Sequence, residues 1–371
     1  MDKNTRKTSF GKWVSPINFE KFNKTVTTYG QDRYTKKLTT QAYTLLMLHA
    51  HLIQTDSLHA LQAALASDDL AQAAGIESIS VSQLSRKNNE VDPAILSNLF
   101  LQLMSRIKGK KQVPHGAMPL KIIDSTTLPL NVNQFEWAKF RKTKAGVKLH
   151  LRIVFDETGT NYPDKEVITN AKESDRNQLE VLVDDKEAMY VFDRGYMDYG
   201  QFDQFTDDAL FFVCRLKRNS IVNPIETFTL PQGCDAVSDT MALIGNATNC
   251  TENFFRIIVV PDGKGGELRL ITNRFDLTAT EISNIYRSRW AIELFFKWVK
   301  QHVNIKHFYG QSENAVKNQI YLVLIAYCLN VLIQMETNSK KSILTITRLL
   351  KAKLWTDSRH WLCRIENHTV P

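Results

Sequence analysis

The stretch "PLKIIDSTT" (119–127) is where the texture of the chain changes. Before it, apolar residues recur at three- and four-residue spacing, as in "QAYTLLMLHAHLIQ" (41–54) and "DPAILSNLFLQLMSRI" (92–107), which is the period of helices with a buried face. After the basic loop "KGKKQVPHG" (108–116) the period becomes strand-like, and a short strand delivers Asp124 at its end. "KLHLRIVFDETG" (148–159) then alternates, with Leu149, Leu151, Ile153 and Phe155 on one face and a turn at Glu157 to Gly159. "KEVITNA" (165–171) fits a third strand, and a helix follows from Ser174 through "DRNQLEVLV". "AMYVFDRGY" (188–196) is a fourth strand ending at Asp193, "YGQFDQFTDD" (199–208) a helix and "ALFFVCRLK" (209–217) a fifth strand.

Three strands, helix, strand, helix, strand is the element order of a ribonuclease-H-like α/β core. In such a core the first strand lies beside the fourth, which sets Asp124 and Asp193 side by side. The texture changes again over 218–277, where "ETFTLPQG" and "FFRIIVVPDGKGGELRLITNRF" predict a β-rich insertion with a hairpin around Asp262 to Gly266. Thr278, followed three residues later by Glu281, has the pattern of a helix-capping box. The helix it opens carries "YRSRWAIELFFKWVKQ" (286–301). At about 100° per residue, Tyr286, Arg289, Glu293 and Lys300 share a stripe about 60° wide, with Ala291, Ile292, Phe295, Trp298 and Val299 on the other side. Taken alone, such a stripe is also what a solvated helix face looks like.

At 371 residues and 43% hydrophobic content the chain can bury a large core divided among two or three units. A net charge of +8 and a pI of about 9.1 favour an anionic partner. The excess concentrates in residues 1–37 and in "WAKFRKTKAGVKLHLR" (137–152). Five cysteines with no C-x-x-C pair argue for a reducing cytosol and against a disulfide framework or a zinc site. The N-terminus lacks the apolar core of a signal peptide. "IYLVLIAYCLNVLI" (320–333), interrupted by Asn330, is shorter than the roughly 20 residues of a membrane span and reads as a buried core helix, so no membrane partner is expected.

Two aspartates at strand ends and a glutamate on a later helix supply hard oxygen ligands suited to Mg²⁺, with Mn²⁺ as a substitute. Two such ions about 4 Å apart activate an attacking oxygen and stabilise a leaving one in phosphodiester displacement. Arg289 offers a bidentate fork to phosphate, Lys300 a point charge, and Tyr286 a hydrogen-bond donor or stacking face. Lys148, His150 and Arg152 share a strand face, with Arg141, Lys142 and Lys144 in the loop behind, as on a surface that tracks DNA or on a solvated basic loop. Asp124 also suits a turn in "DSTT", and Asp193 an ion pair with Arg194. In "SISVSQLSRKNNEV" (78–91), Ser80 or Ser82 can cap a short helix presenting Gln83, Ser85, Arg86 and Lys87, as either a helix-turn-helix reader or a connecting helix.

The spacing Y-x2-R-x3-E-x6-K at Tyr286, Arg289, Glu293 and Lys300 resembles the signature of the DDE transposases of bacterial insertion sequences that carry that tetrad. "DSTT" at Asp124, "FRKTKAGVKLHLRIVFD" at 140–156 and "DRGY" at 193–196 are similar to the corresponding blocks of that family. The resemblance covers roughly residues 10 to 335. It implies a metal-binding triad of Asp124, Asp193 and Glu293, with Tyr286, Arg289 and Lys300 contacting phosphates near the transposon end; the basic residues Lys148, His150, Arg141, Lys142, Lys144 and Arg194 are the further expected DNA contacts, with two Mg²⁺ ions expected at the triad. It further implies cut-and-paste transposition by a cytoplasmic homodimer acting on terminal inverted repeats and target DNA. Some relatives pass through a DNA hairpin and stack a flipped base on a tryptophan of the insertion. Here 218–277 holds no tryptophan, and Phe254 or Phe255 is the available substitute. The expected organisation is a helical DNA-binding domain (1–112), the first part of the core (113–217), the insertion (218–277), the second part of the core (278–335) and a basic tail (336–371). A nuclease or resolvase that cuts without joining, and an inactive DNA-binding descendant, are the competing readings.

Overall fold

The structure is a computed structural model and describes residues 7–110, 118–155, 161–302 and 308–366. The expected loop over 111–116 and turn at 157–159 lie outside the described residues. The chain forms two compact units, one of residues 1–112, 128–146 and 296–371, the other of residues 113–127 and 147–295. In chain order the helices α1 (Ser9–Val14), α2 (Phe19–Thr28), α3 (Thr40–Ile53), α4 (Leu58–Ala64), α5 (Asp68–Ala74), α6 (Val81–Glu90) and α7 (Pro93–Lys110) come first. Strands β1 (Leu120–Leu130), β2 (Lys139–Arg141), β3 (Lys144–Phe155) and β4 (Tyr162–Asn170) follow. Then come α8 (Leu179–Leu182), β5 (Met189–Phe192), α9 (Tyr199–Asp207) and β6 (Phe211–Arg215). Strands β7 (Val222–Thr227), β8 (Ser238–Asn246), β9 (Asn249–Cys250), β10 (Phe255–Pro261) and β11 (Glu267–Thr272) precede α10 (Ala279–Arg287) and α11 (Trp290–His302). Helices α12 (Glu313–Glu336), α13 (Ile343–Ala352) and α14 (Ser358–Ile365) close the chain.

In the first unit, α12 packs against α3, α6, α7 and α13. With 24 residues and a mean hydropathy of 1.6 it is longer than the apolar run predicts, and by length and composition it matches a membrane span. Within the unit, 89% of its apolar window is buried. Its polar residues find partners. Asn318 donates to the Val91 carbonyl at 2.8 Å, and Asn330 accepts from Trp13 Nε1 at 2.9 Å while donating to Thr347 Oγ1 at 3.0 Å. The interruption in the apolar run is therefore a satisfied hydrogen-bond node. Residues 343–365, expected as a tail, are helices of this same unit, because Ile346, Leu350, Trp361 and Ile365 give them apolar faces and all four are buried. Ser80 caps α6 in a capping box with Gln83. Gln83 and Arg86 are exposed, whereas Lys87 is buried against Asp32 at 2.5 Å.

The second unit is built on a mixed sheet. β1 runs parallel to β5 with Ile123 opposite Phe192, β5 runs parallel to β6, and β3 pairs antiparallel with β4. The order β4-β3-β1-β5-β6 is that of the expected ribonuclease-H-like core. The segment read as an insertion continues this sheet. β11 pairs antiparallel with β6, β10 with β11, β8 with β10, and β7 and β9 with β8. Phe255, Ile257 and Ile271 join Phe192, Phe202 and Phe212 in one core, with Phe202 and Phe212 4.6 Å apart between ring centres. The predicted hairpin at 262–266 closes because Asp262 Oδ1 accepts from the Lys264 and Gly266 amides, with Gly263 and Gly265 at φ of 72° and 84°.

One buried ion pair ties this extended sheet to the start of α10. Arg256 Nη2 lies 2.5 Å from Asp239 Oδ2, both residues being buried, and its Nη1 donates to the Leu277 carbonyl beside the α10 cap. Removing one partner leaves the other charged and unpaired. Asp239→Ala is expected to destabilise the chain by about 3–5 kcal/mol in urea denaturation. A loss under about 1 kcal/mol would mean that Arg256 finds water.

Candidate active site

β1 and β5 run in parallel and in register, so Asp124 and Asp193 stand side by side one residue beyond the last pair, Ile123–Phe192. Asp193 follows the end of β5, whereas Asp124, expected at a strand end, lies within β1, which runs on to Leu130. The third carboxylate comes from the capped helix. Thr278 Oγ1 accepts from the Glu281 amide at 3.2 Å and the Glu281 carboxylate accepts from the Thr278 amide at 2.7 Å. The single helix expected over 286–301 is two. Ser288 Oγ donates to the Ile285 carbonyl at 2.5 Å, the Arg289 amide to Tyr286 O at 3.1 Å and the Ile292 amide to Arg289 O at 3.2 Å. These three-residue turns break the i to i−4 ladder between α10 and α11.

The break changes what the stripe does. Tyr286 is 7% exposed, and its hydroxyl donates to Asp193 Oδ1 at 3.3 Å. Arg289 Nη1 donates to Asp124 Oδ2 at 3.3 Å and Nη2 to Glu293 Oε1 at 2.5 Å, while the guanidinium lies 5.8 Å from the centre of the Tyr286 ring. Tyr286 and Arg289 thus knit the three expected carboxylates together. Asp124 Oδ1 also accepts from the Ser125 amide at 2.8 Å. Burial pushes the Asp124 carboxyl up to about 6, and the charges of Asp193 and Asp175 add to this against the pull of the Ser125 amide and Arg289. Burial and the Asp193 charge likewise push the Tyr286 phenol up, so it stays a donor.

The remaining site residues fall into different settings. Arg194 is exposed and lines a recess with Asp193, Gly195, Lys217, Arg218 and Asn219. Lys300 is exposed on the part of α11 that belongs to the first unit, as are Arg141, Lys142 and Lys144 on the β2–β3 hairpin. His150 departs from the expected DNA-facing role: it is 0% exposed, its Nε2 is 2.9 Å from Thr169 Oγ1, and burial holds its pKa down to about 4. Lys148 also departs from it, because its ammonium donates to the Glu173 carbonyl at 2.7 Å and sits 3.2 Å from Asp175. Arg152 is buried between Asp164 and Asp184. This strand alternates, but β4 covers its edge, Asp175 meets Lys148, and Asp164 and Asp184 meet Arg152, which period alone does not reveal. Of the two phenylalanines weighed for base stacking, Phe255 is buried and Phe254 is 47% exposed. Sequence reading missed Ser125, Asp175, Lys217 and Arg218. Lys217 and Arg218 stood at the end of the fifth predicted strand, beside the one that ends at Asp193.

Residues 115–329, more than half of the chain, match the family described as Transposase DDE domain. Residues 5–76 match a family described as Domain of unknown function (DUF4372). A relative from Geobacillus stearothermophilus, named "Probable transposase for insertion sequence element IS5377", is 30% identical over 275 residues, covering 70% of this chain and 69% of the relative. A protein of Sinorhizobium fredii named as transposase y4zB is 32% identical over 219 residues, 58% of this chain and 60% of its own. One from Synechocystis, named as a transposase for insertion sequence element IS4SA, is 22% identical over 298 residues, 77% and 82% respectively. The chain belongs to the DDE transposases of bacterial insertion sequences. It is an enzyme, a DNA transposase whose catalytic domain is metal-dependent.

The three acids fit a divalent ion in kind, being hard oxygen donors. Among the described residues, no three donors are drawn close enough together to hold an ion, and the guanidinium of Arg289 stands between Asp124 and Glu293 as their cation.

Proposed function

We propose that the protein carries out cut-and-paste transposition, hydrolysing a strand at the transposon end and directing the freed 3′-OH at target DNA from one site built on Asp124, Asp193 and Glu293. The observation that carries this reading is the linkage of these three acids through Arg289 and Tyr286, although they are 69 and 100 residues apart in sequence. The triad would hold two Mg²⁺ ions, or Mn²⁺ in their place. Metal held by these acids would supply Lewis-acid polarisation of the attacking and leaving oxygens. Tyr286 orients Asp193 through its hydroxyl, and the buried setting of Asp124 sharpens every charge interaction around it. Arg289 balances two carboxylates, and its Nε is buried without a protein hydrogen-bond partner, so a phosphate would be met by the guanidinium only after it turns away from those acids. Arg194, Lys217 and Arg218 line the recess beside Asp193 and suit the backbone of a DNA strand. Lys300, Arg141, Lys142 and Lys144 are exposed cations suited to the same partner. The helical N-terminal segment would bind the terminal inverted repeats, and a homodimer would hold two ends together in the bacterial cytoplasm.

A strand-transfer assay with Mg²⁺ and pre-cleaved ends separates this reading from a nuclease, which yields no joined product. Arg289→Ala is expected to weaken binding to end DNA and to reduce the slope of log K against log[salt] by roughly 0.9, the value for one phosphate contact. An unchanged slope in a salt titration of binding would remove the phosphate role.

A further inference from the structure

Asp175 belongs to none of the roles assigned above, yet it is bonded to the segment that carries Asp124. Its Oδ1 accepts the Ser125 hydroxyl at 2.7 Å, and the Ser125 amide in turn donates to Asp124 Oδ1 at 2.8 Å. A Cβ added at Gly195, two residues beyond Asp193, would lie 3.4 Å from the Oδ2 of Asp175. Its charge is met by Lys148 Nζ at 3.2 Å, and His150 Nδ1 lies 3.6 Å away with no hydrogen-bond partner of its own. Lys148 is fixed in turn by the Glu173 carbonyl, and the His150 ring by Thr169. The two cationic-strand residues that sequence reading placed against DNA therefore serve a carboxylate.

We infer that Asp175 is a positioning residue: with Lys148 and His150 behind it, it holds Ser125, and Ser125 fixes the Asp124 carboxylate that would take up a divalent ion. The inference rests on the proposed metal role of Asp124. Partners one step removed from a ligand set its orientation, and losing one typically costs about 10–100-fold in metal affinity. The carboxylate of Asp175 can act here by accepting a hydrogen bond, a task an amide oxygen can also perform.

The test is Mn²⁺ titration of the full-length protein without DNA, followed by electron paramagnetic resonance of the free ion, with circular dichroism melts on every variant. Asp175→Ala and Ser125→Ala are each expected to weaken Mn²⁺ binding about 10-fold or more, and the double variant to be no worse than either single one. Asp175→Asn, which keeps an acceptor for Ser125, is expected to stay within about 3-fold of wild type. Unchanged affinity in Asp175→Ala overturns the inference. So does an Asp175→Asn loss as deep as that of Asp124→Asn, which makes Asp175 a ligand, and so do additive losses in the double variant. If Asp124→Asn itself leaves Mn²⁺ binding unchanged, the metal site proposed above is what fails, and the role of Asp175 falls with it by that separate result.

Discussion

Glu293→Gln is expected to lower both strand cleavage and strand transfer by about 10³-fold or more while leaving binding to end DNA and the melting transition nearly unchanged. The size follows from the charge stabilisation that a ligated divalent ion supplies, several kcal/mol, at a factor of ten for each 1.36 kcal/mol. The neutrality follows from the setting. Glu293 is partly exposed, its partner is Arg289 four residues back, and glutamine keeps an oxygen for that contact. With Glu293 about a third exposed and Arg289 still paired with Asp124, losing this charge is expected to cost about 1 kcal/mol. Gel assays of cleavage and joining, run beside fluorescence anisotropy on end DNA and a thermal melt, read all three quantities. Loss of the melting transition would make Glu293 a structural residue, and retained joining would remove it from the chemistry.

The second large effect is of opposite sign for stability. Asp124→Asn is expected to abolish chemistry and yet to stabilise the metal-free protein at pH 7 by about 1–3 kcal/mol. Burial raises this carboxyl from 3.8 to about 6, and each unit corresponds to roughly 1.4 kcal/mol. Loss of the Arg289 contact trims the gain. The pH dependence has a definite direction. Between the unfolded value and about 6 the native state binds the extra proton, so stability falls as pH rises through that window. Below the unfolded value both states are protonated and the penalty is absent. Above about 6 it is fully present. Urea melts in EDTA should therefore show the stability gap between wild type and Asp124→Asn opening between pH 4 and 6 and holding constant above. A gap independent of pH, or a variant less stable than wild type at pH 7, would mean that the carboxylate is held rather than strained. A site that costs the fold stability in this way is expected where charge is kept ready for a ligand.

Much of the fold was legible because its sheet alternates. The period-2 runs at 148–155 and 165–170 and the order of strands one and four were enough to place Asp124 beside Asp193, although β1 runs on to Leu130 rather than ending at Asp124. The capping box at Thr278 and the hairpin at 262–266 have local side-chain causes and were equally readable. What failed was whatever depends on partners distant in sequence. The helical wheel drew Tyr286 to Lys300 as one line, but the Ser288 hydroxyl and the turns at Arg289 break the helix, and the broken geometry points Tyr286 and Arg289 at the aspartates. Residues 218–277 read as an insertion because of their polar start and glycine turn, while the pairing of β11 onto β6, which makes their strands one sheet with the core, has no local signature. His150 looked like a surface cation, and only the register of β4 and the position of Asp175 reveal it as an interior ring.

The central claim is that Asp124, Asp193 and Glu293 jointly take up divalent metal. Anomalous diffraction at the manganese edge, from crystals of the full chain grown with Mn²⁺ and transposon-end DNA, addresses it most directly. The account predicts metal density bonded to carboxylate oxygens of all three residues, with the Arg289 guanidinium no longer between Asp124 and Glu293. Metal bound elsewhere, with Arg289 still bridging those two acids, would contradict it.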